Sequence, residues 1–295
     1  MDSTHRIVKL TEFTPEWLEP IRRLEQLCRQ SDGSKLKIGL EHLTKESGDH
    51  AYLYQVEGRF AGCFIWYTAD GVEANLSAMV HPDWRRQGVF RRLFEAAAAE
   101  MSEQGIQTCR FKVPADSEPG LRCVEHLGAQ YDGTQFAMEL AALPEGLASD
   151  EVATTTLRPE ELEDFGFMVR CLSQAFGDEE EWTLRYLGHT REPSRHNYIG
   201  WHGEERVGLI RVNLLGSGTA VIHDFCVLPA HQGRGYGREM LAQIVQLLLA
   251  QGCTCIRLSV AADNRGALEL YRRTGFEIVT ESRYYTCNLK RVPFD

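Results

Sequence analysis

The stretch QGRGYG, residues 232–237, joins a predicted strand to a predicted helix. A glycine-rich turn at such a junction directs successive backbone N–H groups to one point, beside the positive end of the helix dipole. This arrangement binds anions, and a diphosphate would fill it; a tight turn without a ligand is the alternative. The stretch is neither a Walker loop (GxxxxGK followed by S or T) nor the dinucleotide pattern GxGxxG.

A second stretch, NRGALELYRRTGF, occupies residues 264–276 and follows another predicted strand. Together the two stretches closely resemble the signatures of the GNAT superfamily of acyl-CoA-dependent N-acetyltransferases, which read Q/R-x-x-G-x-G/A and NxxAxxLYxxxGF. The first signature is met by Gln232, Gly235 and Gly237, and the second by Asn264, Ala267, Leu270, Tyr271, Gly275 and Phe276. Both occur in the family's order and spacing, and the likeness is strongest over residues 219–285.

The resemblance implies a fold, a cofactor and the residues that bind it. The fold is mixed α/β (α+β with a mixed sheet), and the cofactor is acetyl-CoA as acyl donor, without a metal. Backbone amides of six residues are implied to hold the CoA pyrophosphate: Gln232, Gly233, Arg234, Gly235, Tyr236 and Gly237.

The same resemblance assigns the strand before the loop to the pantetheine arm of CoA. Phe225, Cys226 and Val227 are implied to diverge from the neighbouring strand and to offer it their backbone groups. The amide of Cys226 or Val227 is implied to stabilise the oxyanion of the reaction. Asn264 is implied to contact the pantetheine arm or a neighbouring backbone group.

Acetyl transfer to an amine also requires a proton donor for the departing thiolate. Tyr271 stands at the family's position for this acid. A tyrosine hydroxyl, with an ordinary pKa of about 10, suits a basic leaving group. The alternative is a ring that only packs beneath the sheet.

The general base is defined less sharply by the sequence. Many family members carry a glutamate on the strand before the loop, where this chain has Val221. His223 and Asp224 are nearby candidates, and strand alternation predicts that His223 shares the face of Val221 while Asp224 points the other way. Histidine has an ordinary pKa of about 6.5, convenient for accepting a proton, although a purely structural His223 is an equal alternative.

The sequence repeats itself at an offset of 147 residues. Residues 80–128 align with residues 227–275 without a gap, and 12 of these 49 positions are identical. Gly88 and Gly235 recur where a turn requires an unusual backbone angle. The repeat predicts two tandem GNAT-like acyl-CoA N-acyltransferase domains, at 1–142 and 156–295, joined by a linker at 143–155.

The first copy departs from both signatures. Its loop reads RRQGVF, residues 85–90, with Phe90 where the second copy has Gly237. Ser117 and Val124 stand where the second copy has its motif asparagine and tyrosine, and valine cannot donate a proton. We therefore expect a degenerate first copy beside an active second copy.

Hydrophobic periodicity and turn signals predict the elements of the second copy. Strands are predicted at 155–158, 197–202, 206–215, 219–227 and 255–260, with closing strands from Phe276 and from Arg283. Helices are predicted from Pro159 to Phe176 and at 180–187, 237–250 and 265–274. Tyr284 and Tyr285 are candidates for lining the acceptor pocket, with core packing as the alternative.

Composition limits the partners and the compartment. The chain of 295 residues has 32 basic and 42 acidic side chains and a net charge of −10, which argues against nucleic-acid binding. The N-terminus lacks the apolar core of a signal peptide, and the longest apolar run of nine residues is too short to span a membrane. Nine cysteines without a CxxC pair indicate a reduced, cytoplasmic protein with no metal site.

The predicted function is an N-acetyltransferase that moves an acetyl group from acetyl-CoA to a primary amine by direct attack in a ternary complex. The favoured acceptor is a small molecule, with no nucleic-acid or membrane partner, and a homodimer is compatible with the sequence. Two alternatives stay open. One is a protein lysine or N-terminal acetyltransferase, and the other is a CoA-binding regulator without catalysis.

Overall fold

The computed structural model describes residues 5–11, 13–35, 38, 50–142, 153–216 and 218–291. The chain forms two compact units, of which the first is built from two separate stretches. Unit 1 comprises Met1–Gln135 and Thr280–Asp295, and unit 2 comprises Phe136–Val279. Most of the predicted linker, residues 143–152, lies outside the described residues.

Unit 1 is a mixed sheet with helices. Its elements are β1 (His5–Leu10), α1 (Pro15–Asp32), β2 (His50–Val56), β3 (Arg59–Thr68), β4 (Glu73–Val80), α2 (Val89–Glu103), β5 (Thr108–Pro114), α3 (Glu118–His126) and the first part of β6 (Gln130–Leu140). Strands β1 to β4 pair antiparallel in chain order, and β5 pairs with β4 in parallel. Residues 282–288, near the end of the chain, pair antiparallel with the other side of β5.

Unit 2 repeats this plan. Its elements after β6 are β7 (Thr156–Pro159), α4 (Phe165–Phe176), α5 (Glu180–His189), β8 (Arg195–His202), β9 (Glu205–Leu215), β10 (Thr219–Val227), α6 (Tyr236–Ala250), β11 (Cys255–Ala261), α7 (Arg265–Arg273) and the start of β12 (Phe276–Asn288). Strands β7 to β10 pair antiparallel, β11 is parallel to β10, and β6 lies next to β11. The predicted mixed α/β architecture is confirmed.

The internal repeat is visible in the lengths of the elements. Three pairs lie 147 residues apart with identical lengths: α2 and α6, β5 and β11, and α3 and α7. In both units a parallel pair of strands is connected through the longest of these helices. The prediction of two copies of one fold is therefore confirmed.

Helix α6 follows from its apolar period. Leu241, Ile244, Val245 and Leu248 recur at helical spacing, and all four side chains are fully buried in the core of unit 2. The helix ends before Gly252, which has a φ of 85° and donates its N–H to the carbonyl of Leu249. The left-handed conformation of Gly252 ends the helix and starts the turn into β11. The glycine-rich loop lies at the other end of α6.

Two predicted boundaries differ from the structure. Pro159 does not open a helix but ends β7, where it lies opposite Tyr198 of β8. A short 3-10 turn follows, capped by reciprocal hydrogen bonds between Glu161 and Asp164, and α4 begins only at Phe165. The two predicted closing strands are one continuous strand, β12.

Each unit takes its last strand from a stretch outside the predicted domain boundaries. The second half of β12 belongs to unit 1, where Tyr284 lies opposite Lys112 and Tyr285 opposite Phe111. Core packing, the alternative reading of these tyrosines, holds for Tyr285, which packs against the core of unit 1.

Residues 136–140 belong in turn to unit 2. The side chain of Met138 is fully buried in the core of that unit. The Glu139 carboxylate lies 3.4 Å from Nε of Arg257 on β11. A fragment that begins at residue 156 therefore lacks a strand of unit 2 and the buried Met138 side chain that it carries.

This arrangement gives a prediction about fragments. We expect a fragment 136–279 to unfold cooperatively at a temperature about 10 °C or more above a fragment 156–295, because the latter lacks Met138 and ends in a strand that pairs elsewhere. Circular dichroism during heating measures both transitions. Equal melting temperatures and cooperativity would show that the predicted boundary at 156 defines the folding unit after all.

Candidate active site

The glycine-rich loop of unit 2 borders open space at the N-terminus of α6. Gly233 and Gly235 have φ angles of 76° and 87°, a left-handed conformation that favours glycine. A Cβ atom on either residue would meet no atom within 4 Å, and residues 232–235 are exposed. The first N–H groups of a helix have no partner within it. Backbone donors at the positive end of α6 are therefore accessible to an anion.

Strands β10 and β11 separate as they approach this loop. Their parallel pairing runs from Thr219 opposite Cys255 to Ile222 opposite Leu258. β10 continues to Val227, and no further β10–β11 pair occurs in the described part of the chain. Because backbone groups of a strand point alternately to its two neighbours, the end of β10 has groups facing β11 that the sheet does not use.

A β-bulge accompanies this separation. The register between β9 and β10 shifts between His223 and Cys226, and Asp224 has a φ of 42°. The equivalent strand of unit 1, β4, pairs with β3 without a shift and has eight residues where β10 has nine. The additional residue is the bulge, which increases the local twist of β10.

The bulge reverses the predicted orientation of Asp224. Its carboxylate accepts hydrogen bonds from the Tyr186 hydroxyl at 2.9 Å and from Nη1 of Arg211 at 2.7 Å. Arg211 lies opposite His223 on β9, so Asp224 shares the face of His223. The alternation prediction is therefore wrong at Asp224, because an inserted residue breaks the period of two. Both donors occupy the Asp224 carboxylate, which leaves half-buried His223 as the candidate base on this face.

Tyr271 lies in the core beneath the end of β10. It is 7% exposed, and its ring centroid is 6.3 Å from that of Phe225. Its hydroxyl makes no hydrogen bond within the described part of the chain. Burial raises the pKa of Tyr271 to about 12, and the nearby Cys226 thiol contributes to the increase. The hydroxyl is therefore protonated at neutral pH and has a proton to donate.

Gly237 joins the loop to the same core. A Cβ atom at this position would lie 3.6 Å from the side chains of Phe225, Val227 and Leu270. Gly237 thus faces the core and not the open side of the loop. The structure brings together Gly237, Phe225, Val227 and Tyr271, while His223 lies on the opposite face of the sheet.

Asn264 caps helix α7. Its side-chain oxygen accepts a hydrogen bond from the N–H of Ala267 at 3.1 Å. Ser117 does the same for α3 of unit 1, where its hydroxyl oxygen accepts from Gly120 at 3.3 Å. Of the two contacts implied for Asn264, the structure contains the one to a neighbouring backbone group, and this role is common to both copies.

The thiol of Cys226 is buried against α4 and is unreactive. The Cys226 sulfur lies 3.6 Å from the sulfur of Cys171 on α4, and both side chains are buried. This hydrogen bond and burial raise the pKa of the Cys226 thiol well above its ordinary value. Because the thiolate is the nucleophilic form, Cys226 contributes its backbone and not its sulfur to the candidate site.

The sequence did not identify the buried polar group beside His223. Arg211 is 1% exposed and donates hydrogen bonds to Asn197 at 2.9 Å, to Asp224 and to the carbonyl and hydroxyl of Thr190. The available signal was an arginine inside the apolar strand ERVGLIRVNLL. A buried charge of this kind requires several partners.

Unit 1 keeps the loop conformation but not the acid. Gly88 has a φ of 79° and caps α2 as Gly235 caps α6. Val124 occupies the position of Tyr271 and is 3% exposed. The ring of Phe90 packs against the core residues Phe64 and Phe94, with centroids 6.2 and 6.1 Å apart. Phe90 therefore faces the core of unit 1 and not the open side of its loop.

Comparison with known proteins identifies the class. The model of the acetyltransferase (GNAT) family matches residues 11–129 and 157–276, so each copy is matched separately. The chain belongs to the GNAT family, is of the tandem type and is an acyltransferase.

Individual proteins and solved structures of this family are similar to the chain over most or part of its length. A mycothiol acetyltransferase of Thermobifida fusca is 25% identical over 92% of this chain and 95% of its own length. The N-alpha-acetyltransferase RimI of Mycobacterium tuberculosis is 32% identical, over 38% of this chain and 73% of its own length. Among solved structures, a GCN5-related N-acetyltransferase from Sphaerobacter thermophilus has a TM-score of 0.73 at 20% identity, covering 96% of both chains. A tandem GNAT protein from the clavulanic acid biosynthesis pathway has a TM-score of 0.68 at 16% identity, covering 99% of this chain and 100% of its own.

The described residues contain neither a membrane-spanning helix nor a cluster of metal-ligand side chains. None of their helices is both long and apolar enough to cross a membrane. No group of three or more His, Cys, Asp or Glu side chains in the described ranges is arranged to hold a metal ion.

Proposed function

We propose that unit 2 transfers an acetyl group from acetyl-CoA to the primary amine of a small molecule. The observation that carries this proposal is the convergence, at the end of β10, of an open helix N-terminus, diverging strands and a buried tyrosine hydroxyl without a partner among the described residues. Family members generally use acetyl-CoA as the acyl donor, and the open loop and diverging strands fit that molecule.

The loop and strand would bind the donor through backbone groups. The amides of residues 232–237 would hold the pyrophosphate, which requires the accessible space beside Gly233 and Gly235. The groups of Phe225, Cys226 and Val227 that face away from β9 would pair with the pantetheine arm as with an added strand. The Gln232 side chain donates to the Val227 carbonyl at 2.9 Å and fixes the loop to the strand end.

Two side chains would move protons. Tyr271 would donate its proton to the sulfur that leaves as thiolate, and His223 would accept the proton of the attacking ammonium. An amide of β10, that of Cys226 or Val227, would stabilise the negative charge that develops on the thioester oxygen. Because the Cys226 thiol remains neutral, an acyl-cysteine intermediate is disfavoured, and the amine would attack the thioester directly in a ternary complex.

The proposed class of acceptor rests on how much of this chain each relative matches. The mycothiol acetyltransferase of Thermobifida fusca shares both copies with this chain, whereas the match to RimI covers one copy's length. A tandem arrangement shared with an enzyme named for a small-molecule acceptor favours a small-molecule amine. A protein N-terminus is the second candidate, because the RimI match has the higher identity.

A screen with acetyl-CoA tests both candidates. The full-length protein is mixed with acetyl-CoA and with polyamines, amino acids, aminosugars or short peptides, and free thiol and acetylated product are measured together. We expect turnover with small amines and none above background with peptides. Turnover confined to peptides would support the second candidate, and thiol release without an acetylated product would contradict transfer to an amine.

A further inference from the structure

We propose that Arg195 of unit 2 binds an anionic group, in the first instance a carboxylate, on the acceptor molecule. This inference rests on the proposed function, because it assigns a substrate class to the same site. It concerns the face of the unit 2 sheet that carries His223, opposite the face covered by α6 and α7.

Polar side chains occupy this face in two rows. Directly opposite residues on neighbouring strands place their side chains on the same face of a sheet. One row runs across the strands through Arg195, Asn213, Val221 and Arg257. The next row contains Asn197, Arg211 and His223. Arg195 is thus on the face of the candidate base, one row before it.

Arg195 is an arginine of this group whose guanidinium forms no hydrogen bond to the described residues. Its side chain is only 9% exposed, and its Nε atom is buried without a hydrogen-bond partner among the described residues. The nearest carboxylate is that of Glu192, whose Oε1 lies 3.9 Å from Nη2 of Arg195. This distance is within the range of an ion pair but too long for a hydrogen bond. The guanidinium has five N–H donors, and none of them bonds to a side chain in the described ranges.

Arg211, in the next row of the same face, shows how many hydrogen bonds a buried structural arginine makes here. Arg211 is more deeply buried than Arg195, 1% against 9% exposed, and it donates hydrogen bonds to Asn197, Asp224 and Thr190. Leaving a buried charged donor unbonded is costly, so such a group requires an explanation, and a bound anion is one that satisfies it. A carboxylate presents two oxygens that match the planar guanidinium fork.

Unit 1 has apolar residues at two positions of the second row. Leu76 and Ile222 hold equivalent positions, because they lie opposite Phe111 and Leu258, which are 147 residues apart. The following register positions make Ile65 the equivalent of Arg211 and Ala51 the equivalent of Asn197. Both Ile65 and Ala51 are buried in an apolar cluster. The arginine–asparagine pair of the second row therefore belongs to the copy with the candidate acid. The first row stays polar in unit 1, where Tyr67, Asn75 and Arg110 hold the equivalent positions.

The register also sets the distance between the two groups of the acceptor. Arg195 lies two strands from His223 and two residues along the strand direction, which places their Cα atoms about 12 Å apart before the side chains extend. An acceptor that reaches both must carry its anion several bonds from its amine. The geometry points to amines with a remote carboxylate, of which ω-amino acids are the simplest examples.

The test compares ω-amino acids with unbranched alkylamines of the same chain length, from three to six carbons, as acceptors for the full-length protein at saturating acetyl-CoA. We expect the amino acid of the best length to have the higher kcat/KM. Arg195→Gln should lower kcat/KM for the amino acids about 10- to 100-fold, through KM, and leave the alkylamines within a factor of about two. Arg195→Lys, which keeps the charge, should retain part of the preference.

Two controls separate recognition from folding. Arg191→Gln removes an exposed arginine from the same connection and should change neither series. Because the Arg195 guanidinium makes no hydrogen bond to any residue that the structure describes, Arg195→Gln should keep the wild-type melting temperature, whereas Arg211→Gln should lower it. Equal losses for amino acids and alkylamines in Arg195→Gln, or a wild-type preference for alkylamines, would overturn the proposal.

A binding measurement keeps this inference separable from the proposed function. The N-acetylated ω-amino acids are titrated calorimetrically into the wild type and Arg195→Gln, which requires no turnover. One possible outcome is that the wild type binds these compounds, that Arg195→Gln weakens the binding about tenfold or more, and that no amine is acetylated. This outcome would support the anion site and contradict the proposed function. Turnover of amines with no effect of Arg195→Gln on binding or selectivity would contradict the anion site alone.

Discussion

Tyr271→Phe is expected to lower kcat about 10²- to 10⁴-fold while the affinity for CoA stays unchanged. The substitution keeps the ring that packs 6.3 Å from Phe225 and removes only the hydroxyl. That hydroxyl has no protein partner in the described part of the chain, so its loss leaves no group unsatisfied. Steady-state kinetics at saturating acceptor and calorimetry with CoA measure the two quantities.

The matched control is Tyr198→Phe. Tyr198 is also a buried tyrosine of the unit 2 core, 8% exposed, but it lies on β8 and away from the end of β10. Removing the Tyr198 hydroxyl should leave kcat within a factor of about two of the wild-type value. If Tyr271→Phe behaves like this control, the departing thiolate takes its proton from another source.

The pH dependence of the reaction follows from the same side chain. Burial raises the pKa of Tyr271 to about 12. An acid with a raised pKa keeps its proton below that value, so deprotonation of Tyr271 should not limit kcat at any pH at which the protein is ordinarily assayed. A loss of kcat between pH 8 and pH 10 must then arise from another group.

The two motifs that decided the family were readable from the sequence because their chemistry is local. A glycine at position 235 is required by a φ of 87°, and Asn264 caps the helix that follows it. Both features depend on neighbours within a few residues. The acid Tyr271 could be proposed for the same reason, since it is set by its position in the second motif.

The orientation of Asp224 could not be read from strand alternation. A bulge of one residue reverses every later side chain of the strand, and its presence depends on the register with β9. The length difference between β10 and β4 was the available signal, because the two copies align without a gap only from Val80 and Val227 onwards.

The partner of the last strand was also beyond local reasoning. Phe276–Asn288 reads as strand from its own residues, but its second half pairs with β5, more than 160 residues earlier in the chain. Such a contact is set by the packing of a whole unit. The polar face around Arg195 was missed for a related reason: its members come from four strands, and only the register brings them into rows.

The central claim is that the chemistry resides in the second copy, and two matched glycines allow it to be tested. Gly88 and Gly235 both begin a long helix, with φ angles of 79° and 87°, and a Cβ atom on either would meet no atom within 4 Å. Valine at either position introduces the same backbone strain, of about 1–2 kcal/mol, and the same side chain on the loop. The two variants therefore differ in which copy is disturbed and not in the kind of disturbance.

Gly235→Val should weaken CoA binding at least about tenfold, or about 1.4 kcal/mol, and reduce turnover to background. Gly88→Val should leave kcat largely unchanged, and any loss should take the form of reduced stability or an altered KM for the acceptor. Circular dichroism must first show that both variants are folded to the same extent.

The most direct measurement is therefore kcat for acetyl transfer in Gly88→Val and Gly235→Val, side by side with the wild type. The account predicts loss of turnover in Gly235→Val alone. An equal collapse of kcat in both folded variants would contradict it, because the first copy would then take a direct part in catalysis.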